Sequence, residues 1–227
     1  MTRLADDIAH AVADARRAHE RAGTIPISDE EERAQRLRPV LDGLPPGARA
    51  ASRKGLEARI SPRMLEAVLG WRWGAGNLVL MGETGSGKTS AAAHLVRRLC
   101  AEGVARGGVQ FELCQMIRWQ GCRELSEVVR ETRLGTGVPE AITASQNARL
   151  LILNDLGGHD DRKTLERILD ERYERGWPTV TTTGMRAKGR LSIEEQLGDA
   201  LARRLFECHG DKGVFVEVWS GAKRNIG

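Results

Sequence analysis

The chain predicts an α/β fold, a parallel sheet covered by helices on both faces, and three observations carry that expectation. Apolar runs short enough to be strands alternate with segments of helical periodicity along most of the 227 residues. One such run, Asn77-Leu78-Val79-Leu80-Met81, leads directly into Gly82-Glu83-Thr84-Gly85-Ser86-Gly87-Lys88-Thr89, which fits G-x-x-x-x-G-K-[ST] at every fixed position. Another, Leu150-Leu151-Ile152-Leu153, is apolar at every position, as a strand buried on both faces must be. Strands alternating with helices close as a parallel sheet whose ligand edge lies at the strands' carboxyl ends.

Taken in order, residues 2–22 place Leu4, Ile8, Val12 and Ala15 at three- and four-residue steps and predict an amphipathic helix. A second helical piece follows Ser28 and the acidic run Asp29-Glu30-Glu31-Glu32, with Leu37, Val40 and Leu41 as its apolar positions. Both are too weakly apolar to form a core alone and are expected to dock. The stretch from Gly43 to Gly55, with Pro45-Pro46-Gly47, reads as a linker, separating a small N-terminal helical extension (1–52) from the main domain (53–227). Ser61-Pro62 opens a helix through Trp73 that turns Met64, Leu65, Val68 and Leu69 inward. Between residues 53 and 72, Arg53, Lys54, Arg59, Arg63 and Arg72 outnumber Glu57 and Glu66, a pattern of either a solvated helix face or a nucleic-acid contact.

Beyond the glycine-rich loop, Ser90–Leu99 has helix-forming composition, and Val109–Cys114 reads as a second strand. Residues 123–131 and 139–147 are expected helices, and 161–175 is amphipathic with Leu165, Ile168, Leu169 and Tyr173 in register. Pro178-Thr179-Val180-Thr181-Thr182-Thr183 is a strand by its β-branched content. One helix is expected from Ser192 to Glu207, with Ile193, Leu197, Leu201 and Leu205 inside, before a last strand at Val214–Trp219.

A formal net charge of +4 and a pI near 9.1 are compatible with nucleic acid without establishing it. Cys100, Cys114, Cys122 and Cys208 form no C-x-x-C pair, so free thiols in a reducing cytoplasm are expected rather than a zinc site. No apolar run approaches the roughly 20 residues of a membrane span, and the acidic, Ala-rich start lacks the apolar centre of a signal peptide, so a soluble cytoplasmic protein is expected.

The loop's spacing has a chemical reason. Glycines at 82, 85 and 87 let the backbone wrap an anion with its amides aimed inward, and the following helix adds its N-terminal amides and dipole. The expected nucleotide-binding set is Gly82, Glu83, Thr84, Gly85, Ser86, Gly87, Lys88, Thr89 and Ser90, with ATP and Mg²⁺ as ligands. Lys88 would reach the β- and γ-phosphates, and the Thr89 hydroxyl would complete the metal's shell.

An acidic group on a neighbouring strand is needed as well, and Leu150-Leu151-Ile152-Leu153-Asn154-Asp155-Leu156-Gly157 supplies one. With that run, the loop, the Pro178–Thr183 strand and Leu197-Gly198-Asp199-Ala200-Leu201-Ala202-Arg203-Arg204-Leu205, the chain resembles the DnaC/IstB-type AAA+ ATPases over roughly residues 60–220. These include replicative-helicase loaders and transposition helper ATPases. The resemblance implies the AAA+ form of the P-loop NTPase fold and an ATPase activity. The family's second motif usually ends in two acids, and here Asn154 stands in the first place and Asp155 in the second. Asn154 could reach Mg²⁺ through a water but adds no charge. Three outcomes stay open: slow hydrolysis through Asp155, a register in which Asp155 serves the metal, or ATP binding without turnover.

The same resemblance makes Thr183, with Thr182 second, the polar sensor of the γ-phosphate or lytic water. It makes Arg204, ahead of Arg203, an arginine offered to a neighbouring subunit's nucleotide, which implies self-association on ATP. It implies a replicative helicase, or a transposase, as the partner of the N-terminal helices, and single-stranded DNA as a further ligand. Trp71 and Trp73 precede the first strand, where the resemblance would place a wall for adenine, but core packing is the better reading of them, and His94 and His209 carry no partner pattern.

Overall fold

A computed structural model describes residues 28–132, 137–157, 160–189, 192–208 and 211–219. The helix expected over residues 2–22 lies outside them. Among the described residues, those from 37 onward form one compact unit, and those up to Arg36 belong to another.

The first described helix, α1 (Asp29–Asp42), begins where a polar cap and an acidic first turn place it. The Glu31 amide donates to Ser28 Oγ at 3.2 Å and the Ser28 amide donates to Glu31 Oε2 at 2.9 Å, a reciprocal capping box. Three short helices follow, α2 (Pro46–Ala50), α3 (Arg53–Glu57) and α4 (Pro62–Gly70). The stretch from Gly43 to Gly55 is therefore not an open linker. Leu44, Ala48 and Leu56 are buried in the core, and their apolar contacts hold two helices too short to persist alone. Helix α4 starts at Pro62 as expected and ends at Gly70, three residues early, because Trp71 turns to extended backbone and donates its indole N–H to the Gly76 carbonyl.

The sheet is five-stranded and wholly parallel, in the order β2 (Ile117–Gly121), β3 (Leu150–Leu156), β4 (Thr179–Thr183), β1 (Leu78–Gly82) and β7 (Val214–Val218). The expected parallel α/β sheet with both faces covered is what forms. Alternate residues of β1 feed two separate cores. Leu78 and Leu80 join α5 (Lys88–Arg106) and the short helices on one face; Val79 and Met81 join the helices of the other. That second layer is α7 (Cys122–Glu131), α8 (Glu140–Asn147), α9 (Arg162–Glu174), α10 (Ile193–Leu197) and α11 (Asp199–Phe206). A two-stranded antiparallel hairpin, β5 (Glu207–Cys208) with β6 (Asp211–Lys212), precedes β7.

Two expectations fail for long-range reasons. Val109–Cys114 is not a strand but most of helix α6 (Gly108–Gln115). Its buried residues, Phe111 and Cys114, are three apart, and the Cys114 thiol donates to the Leu99 carbonyl of α5. The missing side chain at Gly103 makes room, since a Cβ there would lie 2.9 Å from Cys114 Sγ. The strand instead is β2, an edge strand, which tolerates Arg118 and Gln120. The helix expected over Ser192–Glu207 is two, because Gly198 between them takes φ +84°, and Glu207 already pairs in β5.

Among the described residues no helix is long and apolar enough to cross a membrane. The four cysteines are buried, and none is in a disulfide among the described residues.

Candidate functional site

Strand β1 delivers the chain into the loop at Gly82, and α5 begins at Lys88, so the loop joins a buried strand to the amino end of a 19-residue helix. Gly85 and Gly87 take φ +86° and +89°, left-handed values that favour glycine. At Gly87 space is decisive too, because a Cβ there would stand 2.1 Å from the Arg59 carbonyl oxygen. The loop and the turn after α3 are thus pressed together at the helix N-terminus.

Lys88 Nζ donates to the Gly82 carbonyl at 2.8 Å and the Glu83 carbonyl at 2.9 Å, so its ammonium is held over the loop. Partial burial lowers its pKa from the ordinary lysine value, while Asp155 and Glu83 oppose that shift. Ser86 Oγ is buried with no hydrogen-bond partner among the described residues.

Across the cleft, β3 carries a bulge. Leu153 pairs with Thr181 and Leu156 with Thr183, so one extra residue is inserted at Asn154-Asp155. Asp155 takes φ +62°, the one non-glycine with positive φ among the described residues. A strained backbone of this kind persists only where its surroundings hold it. Here the Asp155 amide donates to Thr182 Oγ1 at 2.9 Å, and that hydroxyl donates to Asn154 Oδ1 at 3.1 Å. Thr89 Oγ1 donates to the same Asn154 oxygen at 3.1 Å. One amide oxygen therefore ties the end of the loop to the second motif, and the bulge leaves the Asp155 side chain exposed.

These elements enclose an open cleft of about 460 Å³ lined by Arg59, Thr84, Gly85, Gly87, Lys88, Thr89, Ser90, Asn154 and Asp155. The donor set suits a magnesium ion that keeps most of its shell as phosphate oxygens and water, since it offers one hydroxyl, one amide oxygen and one carboxylate. No cluster of three or more His, Cys, Asp or Glu side chains that would hold an ion without such help exists among the described residues.

The other expected residues lie elsewhere. Thr183 is fully buried, donates to the Leu156 carbonyl at 2.7 Å and accepts from the Met185 amide at 3.0 Å. Thr182 is the threonine of this strand whose side chain meets Asn154 and Asp155 at the bulge. Arg204 binds Asp170 at 2.7 Å and stacks over Tyr173 at 4.2 Å; Arg203 binds Glu207 and the Tyr173 hydroxyl. Trp71 and Trp73 meet edge to face in the core, at 5.8 Å. His94 is buried against Glu57 at 3.0 Å.

Two residues had no assigned part in the sequence reading. Arg59 was one cation in a basic interval, with nothing local to separate it from its neighbours. Arg172, on an otherwise ordinary amphipathic helix, is 1% exposed. It donates to Thr179 Oγ1 and to the carbonyls of Ser145, Ala148 and Pro178. Burial pushes its pKa down to about 9, which still leaves it charged at neutral pH.

No protein-family model matches the chain, and no curated protein matches it. Among solved structures it is similar to the DnaC helicase loader, at 17% identity over 68% of this chain and 85% of that one, with a TM-score of 0.49. It is similar to DnaI at 18% identity, over 68% and 80% of the two chains, with a TM-score of 0.48. AMPPCP-bound DnaA from Aquifex aeolicus shares 21% identity over 71% of this chain and 48% of that one, with a TM-score of 0.48. At such identities the likeness concerns the fold, and the functional reading rests on this chain's own residues.

Proposed function

We propose that the chain binds ATP with Mg²⁺ in the cleft of the Gly82–Thr89 loop and hydrolyses it slowly, as an accessory protein of DNA replication of the helicase-loader kind. The observation that carries this reading is convergence. Lys88 and Thr89 on the loop, and Asp155 presented by a strained bulge two strands away, line one cleft large enough for a triphosphate. When bound, the metal would neutralise charge on the β- and γ-phosphates, held by Thr89, Asp155 and, through water, Asn154.

The chain's own groups divide the remaining work. Loop amides and the start of α5 take the phosphates, and Lys88 exchanges its two carbonyl partners for phosphate oxygens. Asp155 orients the attacking water and accepts its proton. Thr182 fixes the Asp155 backbone and the Asn154 side chain. Arg204 serves a neighbouring subunit only after leaving Asp170 and Tyr173, so ATP-dependent self-association goes with rearrangement at that surface. The N-terminal residues, grouped up to Arg36 as a unit of their own, are the part proposed to grip a replicative helicase. A truncation that spares the core ends at Arg36.

A second reading has a specific observation in its favour. Asn154 Oδ1 already accepts from two hydroxyls, and the side chain brings no charge, which suits a module that binds ATP and does not turn it over. Turnover of purified protein with Mg-ATP, with and without single-stranded DNA, separates the two. Lys88→Ala should weaken ATP binding about a hundredfold through lost charge-assisted contacts. Full affinity in that variant would sink the site assignment; tight binding by wild type with no turnover would favour the second reading.

A further inference from the structure

Arg59 is the arginine of the basic interval that lines the cleft. Arg53 is paired with Glu57 at 2.9 Å, Arg98 with Glu102 at 2.6 Å, and Arg97 donates to the carbonyls of Ala51 and Arg49. The Arg59 guanidinium makes no hydrogen bond or ion pair among the described residues, although it lines the cleft. A cation left without a counter-charge at the mouth of an anion site is a ligand group, provided its backbone is fixed there.

The backbone is fixed. The Arg59 amide donates to the Leu56 carbonyl at 3.0 Å and the Ile60 amide to the Glu57 carbonyl at 3.1 Å, so residue 59 sits in a closed turn. Leu56 and Ile60, on either side, are buried in the core. Glu57 is tied to His94 of α5 at 3.0 Å, and the Arg59 carbonyl lies against Gly87, the residue just before that helix. The turn and the amino end of α5 therefore form one unit, and the side chain leaves it on the cleft side.

The charge balance of the cleft gives this placement a purpose. Its lining holds two cations, Arg59 and Lys88, and one carboxylate, Asp155, because Asn154 stands where a second acid would otherwise offset them. An excess of positive charge suits the phosphates themselves more than it suits a bound cation. We propose that Arg59 is a second phosphate-binding cation of this site, taking the phosphate chain of a nucleoside di- or triphosphate. By supplying charge that a metal would otherwise bring, it makes nucleotide binding less dependent on Mg²⁺. The inference rests on the nucleotide-binding reading above and deepens it.

The test is equilibrium binding of fluorescent ATP and ADP to the full chain, in Mg²⁺ and in EDTA, for wild type, Arg59→Ala, Arg59→Lys and Lys88→Ala. Arg59→Ala should lose about tenfold or more in affinity, as expected for a charge-assisted phosphate contact, with the larger loss in EDTA. Arg59→Lys should recover part of it. The exposed side chain can be changed without disturbing the core. Wild-type affinity in Arg59→Ala under both conditions, while Lys88→Ala binds poorly, would overturn the role of Arg59 alone. Unchanged affinity in both alanine variants, or no binding by wild type, would instead overturn the nucleotide site on which it depends.

Discussion

The two ends of the sheet carry polar clusters that meet at opposite ends of β4 and are put to opposite uses. At the amino ends, Arg172 Nε meets Thr179 Oγ1, and the Thr179 amide donates to Asn77 Oδ1 at 2.7 Å. Asn77 Nδ2 then donates to the carbonyls of Arg204 and Glu207, anchoring the end of α11 to the start of β1. This end is closed, and each of these groups is bonded within the chain. At the carboxyl ends, Thr89, Asn154 and Thr182 share one amide oxygen, Lys88 borrows loop carbonyls, Arg59 has no described partner, and Asp155 holds a strained backbone facing solvent. A buried polar group contributes stability only when satisfied, whereas a site that is to bind must keep donors and charges in reserve. The contrast teaches which polar residues hold the fold and which are available to a ligand.

The largest expected effect breaks the closed end. Arg172→Ala should cost about 3–5 kcal/mol of stability, read by denaturant unfolding, because four oxygens lose a charged donor at once and three of them are buried carbonyls. Nucleotide affinity of the folded fraction should stay unchanged; if affinity falls in proportion to stability, the two ends are not separate in function. At the open end, Asn154→Asp should raise Mg-ATP hydrolysis on the order of tenfold, equivalent to about 1.4 kcal/mol of barrier, measured as steady-state phosphate release. It should do so at little cost in stability, since the hydroxyls of Thr89 and Thr182 would donate to a carboxylate as they do to the amide oxygen.

Smaller effects sharpen the comparison. Asp155→Gly should be more stable than Asp155→Ala by about 1 kcal/mol, because glycine alone takes φ +62° without strain, while both should lack hydrolysis. Equal stability would mean that the bulge stores no strain. The smallest effect is on pH. Burial lowers the Lys88 pKa, so between neutral pH and the ordinary lysine value the ammonium is lost earlier than on a free lysine, and ATP affinity should fall as pH rises through that range. Folding has the opposite sign there. The folded chain sheds the proton before the unfolded one, so the Lys88 contribution to stability increases with pH and is complete above the unfolded pKa. A titration of affinity against pH, flat in Lys88→Arg, checks the assignment.

Much of this was legible in the sequence because it is local. The Gly82–Thr89 spacing, the apolar run at Leu150–Leu153 and the β-branched run at Thr179–Thr183 each specify their own conformation, and the structure has them where the sequence placed them. Helices α7, α8 and α9 likewise follow from the spacing of their apolar residues, within a residue or two at the ends. The extra residue in β3, by contrast, is visible only once the strand is paired, because a bulge is a mismatch between two chains of hydrogen bonds and not a property of either. The same holds for Thr182, whose side chain matters only because Asn154 and the Asp155 amide lie against it.

By itself, then, the sequence determined the glycine-rich loop between strand and helix, the parallel sheet and most of its helices, because backbone preference and apolar periodicity act over a few residues. Tertiary structure alone decided that Val109–Cys114 is helical against α5, and that Gly43–Gly55 folds into the core. It also decided that Arg172 is a buried anchor, and that Arg59, from a turn well before the loop in sequence, joins the cleft. Each of those outcomes depends on groups distant in sequence meeting in space, where burial and hydrogen-bond satisfaction outweigh local propensity.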